Sequence, residues 1–371
     1  MYDLHKENIV VATSCFGLGP VGKLAAIVNK ARNTYNWFAI GEKFDFSVFH
    51  DNIFEDICWS MDRDVIKSFL HKYNIRFGIV VLKNKIAKML TELGIKVIYI
   101  DSLPFMWTKK DAEEGKIPYN VYCYCAQMSI PLNNSSKRLF NEVKNLRWIE
   151  PIVNLRPLDI KQGNQVLINL GGFSSPHGDN YAYIDLIIRP LLDILKQQYD
   201  EIIVTCGKKA QTNLKRKIGL EADITSFSQT EFLEKMYSSK LFFTSPGLTT
   251  IVETLQYNKP TIILPPQNLS QFYNSLFAQK SLQQYKVIEW LSDELSLKKF
   301  LSMDNYDEGE IVKIIYDTII KQNTPTNSVI YKKYIHKVLN QSYFQNQLFE
   351  QSINGVSQVL DILQEAIEGG N

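Results

Sequence analysis

The residues best placed to do chemistry follow the strand-like run KLFFTS, which ends at Ser245. Gly247 comes just after that run, and a helical spacing of apolar residues begins at Leu248. Thr249 and Thr250 then stand in the first turn of the predicted helix. Backbone N–H groups and hydroxyls at a helix N-terminus can bind phosphate oxygens, because the helix dipole favours negative charge there. The segment therefore predicts a diphosphate site.

A carboxylate and three amides extend this site along the chain. Glu253 lies three and four residues after the two threonines, on the same helix face, where it could accept hydrogen bonds from both hydroxyls of a ribose. The next strand-like run leads into a loop with Gln267 and Asn268, and Gln271 follows within a turn. Amide side chains both donate and accept, so they can read the hydroxyls of a sugar. The alternative is a purely structural βαβ unit.

Two spaced patterns run from Ser245 to Asn274: S-x-G-x-x-T-x-x-E and, after a strand, P-x-Q-x-x-x-Q-x-x-N. They resemble the donor-binding region of GT-B fold glycosyltransferases, a group that includes the peptidoglycan GlcNAc transferase and the antibiotic- and plant-type enzymes that use nucleotide sugars. The resemblance implies two Rossmann-like domains facing a central cleft. It also implies transfer from a UDP- or dTDP-linked sugar to a hydroxyl acceptor, with no further cofactor. We expect the transfer to be inverting, and a retaining transfer stays open.

The resemblance assigns roles to individual donor-site residues. The phosphates would be lined by Gly247, Thr249 and Thr250, with Ser245 and Leu248 beside them. Glu253 would hold the ribose, and the donor sugar would contact Gln267, Asn268 and Gln271. The second glycine loop would face the diphosphate through Gly171, Gly172, Phe173 and Ser174. Phe227 and Ser228 would lie by the nucleotide base.

The acceptor side departs from the family pattern. The first glycine loop often carries a Gly-His pair in that family, whereas here it contains Gly17 and Gly19 but no histidine. An inverting transfer needs a general base, and the substitute that the sequence offers is Asp101, which ends the strand-like run IKVIYID. Phe105 and Trp107 follow it and predict an acceptor-side loop. Two alternatives stay open: Asp101 could cap a turn, and the rings could form a core cluster.

Two segments have the strand, glycine turn and helix that would position these residues. The first begins at Asn8 and meets the first glycine loop, and the second begins at Asn164 and meets Gly171. Further strand-like and helix-like runs alternate after each of them, which predicts parallel βαβ crossovers and an α/β fold. We expect an acceptor-binding domain over 1–150, a donor-binding domain over 151–325 and a helical tail over 326–371 that packs back on the cleft or the N-terminal domain.

The composition bounds the class of protein. The chain has 371 residues, of which 45% are hydrophobic and 22% charged, with a net charge of +2. This length suits two domains, and the near-neutral balance argues against a nucleic-acid partner and against an anionic polymer as acceptor. No apolar run is long enough to span a membrane, and five scattered cysteines do not form a disulfide framework, so we expect a cytoplasmic protein. No cluster of residues has metal-ligand spacing. The oligomeric state stays open.

Two rival functions would keep the same fold. A nucleotide-sugar hydrolase or 2-epimerase would recognise the same donor and need no acceptor. A catalytically silent binding or activator subunit would keep the fold without turnover, and the missing histidine favours it. The preferred prediction is glycosyl transfer to a small-molecule or glycan acceptor.

Overall fold

In this computed structural model the chain folds as two compact units, Met1–Asn154 with Gln351–Asn371, and Leu155–Glu350. The structure describes residues 6–14, 19–41, 49, 53–128, 138–154, 160–171, 173–175, 177–218, 222–281, 285–301, 308–341 and 353–369.

One parallel sheet of seven strands, in the order β3-β2-β1-β4-β5-β6-β7, forms the centre of the first unit. Its strands are β1 (Asn8–Thr13), β2 (Asn36–Ile40), β3 (Asp56–Cys58), β4 (Phe77–Val81), β5 (Lys96–Asp101), β6 (Cys123–Gln127) and β7 (Leu146–Ile149). The strand order reverses between β1 and β4, which are direct neighbours.

Helices cover both faces of this sheet. On one face, α1 (Gly19–Lys30) packs together with the last helix of the chain, Gly355–Glu368. On the other face lie α2 (Arg63–Lys72) and α3 (Asn84–Glu92). Strands that are covered on both faces must be apolar throughout, which explains the uninterrupted apolar runs of β1 and β4. A 3-10 turn, Pro104–Met106, and the short helix α4 (Lys109–Glu113) follow β5.

The second unit contains a parallel sheet of six strands in the order β12-β11-β8-β13-β14-β15. Its strands are β8 (Val166–Asn169), β11 (Ile202–Thr205), β12 (Asp223–Thr225), β13 (Leu241–Thr244), β14 (Thr261–Ile263) and β15 (Tyr285–Val287). A small antiparallel hairpin, β9 (Ser174–Ser175) and β10 (Gly178–Asp179), stands in the loop after β8. Here the strand order reverses at β8 and β13.

The helices of the second unit alternate with its strands. The first, α5, runs through Tyr181–Tyr183, a π-helical segment Ile184–Ile188 and Arg189–Leu195. The others are α6 (Lys208–Ile218), α7 (Gln229–Ser238), α8 (Leu248–Gln256), α9 (Leu269–Ser281), α10 (Leu297–Leu301), α11 (Glu308–Gln322) and α12 (Pro325–Asn340).

The C-terminal helices divide between the two units. Helix α12 packs on α5 in the second unit, whereas α13 (Gly355–Glu368) packs on α1 and the sheet of the first. Gly355, at the start of α13, touches the backbone at Glu150 and Pro151 so closely that a Cβ would lie 2.8 Å from the Pro151 carbonyl oxygen and closer still to that of Glu150. The absence of a side chain at this position therefore allows the chain to return to the first unit.

The predicted α/β fold is confirmed: both sheets are parallel, helices alternate with the strands, and the C-terminal region is helical. Among the described residues, no helix combines the length and the hydrophobicity that crossing a bilayer requires.

Candidate functional site

The carboxyl edge of the second sheet brings together the loops after β8 and β13. These strands are neighbours where the strand order reverses, and ligands of open α/β sheets bind at such an edge. Asn169, the last residue of β8, donates from Nδ2 to Thr244 Oγ1 at 3.0 Å. Ser245 Oγ donates to the Leu170 carbonyl oxygen at 3.1 Å. Buried side-chain contacts therefore fix the starts of the two loops against each other.

The second glycine loop begins at this edge with a left-handed residue. Gly171 has φ +55°, a conformation that residues with a Cβ rarely adopt. Its N–H donates to Asn169 Oδ1 at 2.9 Å. Phe173 is buried and its ring lies edge-on to that of Tyr181, so it supports the loop from inside.

Two further predicted donor-site residues lie in the same loop. Ser174 begins the hairpin strand β9. Gly172 lies outside the described residues.

Helix α8 starts at the same edge, directly after β13. Its N-cap residue, Gly247, has no side chain that could cap the first-turn N–H groups. Leu248 is buried, whereas Thr249 and Thr250 are partly exposed. The first turn therefore offers hydroxyl groups and the positive end of the helix dipole, which is the arrangement that stabilises an anion.

One turn further along α8, a buried carboxylate is held by an amide. Glu253 is only 1% exposed, and its Oε1 accepts a hydrogen bond from Gln229 Nε2 at 2.6 Å. Gln229 is the first residue of α7, and sequence reasoning missed it. The available signal was its position immediately after Ser228, a residue already assigned to the base side of the site.

Phe227 and Ser228 support the start of α7. Ser228 is the N-cap: its Oγ accepts from the Glu231 N–H at 3.3 Å, and Glu231 Oε2 accepts from the Ser228 N–H at 2.9 Å. Phe227 is partly buried against the apolar cluster that contains Leu167 and Phe242. Phe227 and Ser228, which were predicted to lie by the nucleotide base, thus fix the start of α7. That helix start carries Gln229, which holds the Glu253 carboxylate.

The three predicted sugar-side amides lie at the start of α9. Asn268 Oδ1 accepts from the Gln271 N–H at 3.0 Å and from Ser270 Oγ at 2.9 Å, which is how a capping side chain behaves. Gln271 Oε1 accepts from the Gln267 N–H at 2.8 Å. Asn268 and Gln271 therefore shape the loop through their oxygens.

Two buried amide atoms in this region have no hydrogen-bond partner among the described residues: Gln267 Nε2 and Asn274 Oδ1. Asn274 is 2% exposed, and its Nδ2 donates to the Pro246 carbonyl oxygen at 2.8 Å, which ties α9 to the residue before Gly247. An unpaired buried polar atom costs free energy, and a ligand hydroxyl can both donate and accept. Sequence reasoning did not select Asn274, although it ends the second spaced pattern.

Asp101 ends β5 in the first unit, where its carboxylate is fully buried. Oδ1 accepts from the Leu103 N–H at 2.9 Å, and Oδ2 accepts from Trp107 Nε1 at 2.7 Å and from the Tyr124 hydroxyl at 2.6 Å. Burial raises the pKa of this carboxyl above its ordinary value, and the three hydrogen bonds act in the opposite direction. The carboxylate closes the turn at Leu103; its role as a base stays a prediction.

The other predicted acceptor-side residues occupy different environments. Phe105 is 3% exposed and lies in the interior, whereas Trp107 is partly exposed and packs on the core. Gly19 is the first residue of α1, and Gly17 lies outside the described residues. Within the described parts of the chain, no group of three or more His, Cys, Asp and Glu side chains could hold a metal ion.

No protein-family model and no curated protein sequence matches the chain. Solved structures do match over nearly the full length of both chains. The glycosyltransferase of kitacinnamycin covers 97% of this chain and 99% of its own, at 11% identity and a TM-score of 0.55. Phytolacca americana UGT2, solved with UDP-2-fluoro-glucose and pterostilbene, covers 98% and 100%, at 9% identity and a TM-score of 0.53.

This chain has the GT-B fold. A third similar structure shares it: the UDP-GlcNAc 2-epimerase of Methanocaldococcus jannaschii covers 97% of this chain and 99% of its own, at 12% identity and a TM-score of 0.53. The fold alone thus serves more than one reaction, so function has to be argued from the residues at the sheet edge.

Proposed function

We propose that this protein is a glycosyltransferase that moves a sugar from a nucleotide-diphosphate sugar to a hydroxyl group of a small-molecule or glycan acceptor. The observation that carries the proposal is the convergence at one sheet edge of three features: the uncapped start of α8, the Glu253 carboxylate held by Gln229, and the amide atoms of Gln267 and Asn274 that have no partner within the described parts of the chain. Each of these groups suits a different part of one donor molecule.

The diphosphate would bind at the first turn of α8. Its negative charge increases as the sugar leaves, and fixed N–H dipoles with the hydroxyls of Thr249 and Thr250 would stabilise that charge. This stabilisation needs no metal ion, so we propose a metal-independent transfer whose rate is unchanged by a chelator. Gly171 and Ser245 shape the neighbouring backbone and would leave room for the phosphate oxygens.

The nucleoside would bind on the α7 side of the same edge. Glu253 is 1% exposed, so the side chains around it would have to move on donor binding before its carboxylate, oriented by Gln229, could accept hydrogen bonds from the ribose hydroxyls. Phe227 and Ser228 would lie near the base. The donor sugar would bind at α9, where Gln267 Nε2 can donate to one hydroxyl and Asn274 Oδ1 can accept from another. A UDP- or dTDP-linked sugar fits these requirements.

An inverting transfer also needs a group that takes the proton of the acceptor hydroxyl. The sequence prediction for this base is Asp101. Its carboxylate has no exposed surface, so an acceptor hydroxyl would reach it only if the side chains around it moved.

Turnover assays with UDP- and dTDP-sugars test the proposal. Incubation with a panel of hydroxyl acceptors should release the nucleoside diphosphate and yield a glycosylated acceptor. Donor binding without any product across the panel would contradict transfer and would instead support a silent binding subunit.

The second candidate is a nucleotide-sugar hydrolase or 2-epimerase. The Methanocaldococcus jannaschii epimerase, which is similar over nearly the whole chain, keeps this alternative open. The same incubation without any acceptor distinguishes the two, because free sugar or the epimeric donor would then accumulate.

A further inference from the structure

The buried Asp101 carboxylate accepts hydrogen bonds from the loop that follows β5 and from the neighbouring strand β6. Two of its three donors, the Leu103 N–H and Trp107 Nε1, come from the segment that directly follows β5. The third is the hydroxyl of Tyr124 on the neighbouring strand β6. A buried carboxylate is stable only when it is hydrogen-bonded, so these contacts lock the loop and the carboxylate to each other.

The consequence for Trp107 is a fixed indole orientation. Its Nε1 lies 2.7 Å from Asp101 Oδ2 and 3.0 Å from the Tyr124 hydroxyl oxygen. Nε1 is the only polar atom of the Trp107 side chain, and both of these hydrogen bonds are to side chains on the buried side. The partly exposed part of Trp107 is therefore available for contact through its ring carbons.

The loop is also held beyond Trp107. Thr108 caps α4 in a reciprocal pair with Asp111: Asp111 Oδ2 accepts from the Thr108 N–H at 3.1 Å, and the Asp111 N–H donates to Thr108 Oγ1 at 3.2 Å. Lys116 Nζ lies 3.1 Å from Asp111 Oδ1. An aromatic side chain between two such anchors loses little conformational entropy when a ligand binds.

We propose that Asp101 is a positioning residue that holds Trp107 as a stacking platform for the acceptor. The platform stands at the carboxyl edge of the first sheet, the edge at which α/β folds bind ligands. The acceptor would present a flat apolar face, which an aromatic ring and the C–H face of a sugar ring share. This inference rests on the proposed function, since the acceptor is the molecule that would receive the sugar in the proposed glycosyl transfer.

Equilibrium binding of two probes tests it: 4-methylumbelliferone, followed by its own fluorescence, and methyl β-cellobioside, followed by calorimetry. At least one probe should bind the wild-type chain, and Trp107→Leu should weaken that binding about tenfold. Trp148→Leu is the matched control, since Trp148 is an exposed tryptophan on β7 whose ring packs edge-on against Phe140, and it should leave probe affinity unchanged. Which probe responds distinguishes an aromatic from a sugar acceptor.

Variants of Asp101 separate positioning from proton transfer. Asp101→Asn keeps an oxygen for the indole N–H and should bind the probe within about threefold of wild type, with an unchanged pH profile of turnover. Asp101→Leu should weaken binding as much as Trp107→Leu, and combining the two should add nothing further. Should Asp101→Leu not fold, Trp107→Phe replaces it: a ring without the N–H should bind more weakly than wild type.

Three results would overturn the inference. They are unchanged probe binding in Trp107→Leu, binding of neither probe by a chain that still binds UDP or dTDP, and loss of turnover in Asp101→Asn with probe binding intact. The last would make the carboxylate a base. Failure to bind any nucleoside diphosphate would instead contradict the proposed function.

Discussion

At the scale of single residues, the pairing of Gln229 with Glu253 explains how a carboxylate that is 1% exposed can be held near the sheet edge. Removing the amide takes away the hydrogen bond that Glu253 Oε1 accepts from Gln229 Nε2. We expect Gln229→Leu to lower the free energy of unfolding by about 1–3 kcal/mol and to weaken nucleoside diphosphate binding. Urea denaturation and calorimetric titration measure both quantities. Gln198→Leu, at an exposed glutamine, should change neither; a Gln229→Leu chain that behaves like this control would contradict the pairing.

Lys259 makes a pH-dependent contribution that is independent of the candidate site. Its Nζ is buried and donates to the carbonyl oxygens of Tyr237 and Ser239. Burial lowers its pKa from the ordinary value to about 8. Between pH 8 and the ordinary pKa of lysine, the unfolded chain binds more protons than the folded chain, so the contribution of Lys259 to stability rises with pH in that range.

The measurement is the difference in unfolding free energy between wild type and Lys259→Met. This difference should shift in favour of wild type as the pH rises above 8. Lys240→Met, at an exposed lysine, is the matched control. A wild-type advantage that is constant from pH 7 to pH 10 would contradict a lowered pKa.

At the scale of helices, the start of α13 depends on the lack of a side chain at Gly355. Gly355→Ala would press a Cβ against the Glu150 and Pro151 carbonyl oxygens, which are backbone atoms and cannot rotate away. We expect a loss of about 1–3 kcal/mol in unfolding free energy, within the cost range of overpacking. Thermal unfolding followed by circular dichroism measures it.

Gly22→Ala is the control for that substitution. Gly22 lies inside α1, and a Cβ there would meet no atom within 4 Å of it among the described residues. Because alanine favours the helix, Gly22→Ala should be neutral or slightly stabilising. An equal loss in both variants would show that α13 does not need the close approach.

The start of α9 separates a capping role from sugar recognition. Asn268 Oδ1 accepts from the Gln271 N–H and Ser270 Oγ, so Asn268→Ala should cost about 1 kcal/mol of stability. Asn268→Asp keeps the capping oxygen and should restore stability. If Asn268 also reads the donor sugar, Asn268→Asp should still bind the sugar nucleotide more weakly, while its affinity for the free nucleoside diphosphate stays unchanged.

Features encoded by neighbouring residues could be predicted from the sequence. The strand, uncapped helix start and Glu253 follow one another within a few positions, so chain spacing alone brings them together. The contact between Gln229 and Glu253 joins α7 to α8, and the hydrogen bond from Tyr124 to Asp101 depends on the pairing of β6 with β5. Such contacts join residues that are distant in the sequence and form only when the strands and helices pack together. The hydrophobic periodicity of a single segment therefore cannot predict them.

At the scale of the whole molecule, the two units are each built around a parallel sheet whose strand order reverses near its middle. The alternation of strands and helices predicted this architecture. The sequence predicted a helical tail over 326–371 that packs back on the cleft or the N-terminal domain, but it left the surface open, because an amphipathic helix can pack on any apolar face. Helix α13 docks against Glu150 and Pro151 because Gly355 has no side chain and its backbone can approach theirs closely.

The central claim is that the carboxyl edge of the second sheet binds the nucleoside diphosphate of a sugar donor. Calorimetric titration of the full-length chain with UDP and dTDP tests it most directly, with Glu253→Ala as the site variant and Glu201→Ala, at an exposed glutamate, as the control. We expect one of the two nucleotides to bind wild type and the control equally, and Glu253→Ala to bind about tenfold more weakly or worse. No binding of either nucleotide, or wild-type affinity in Glu253→Ala, would contradict the claim.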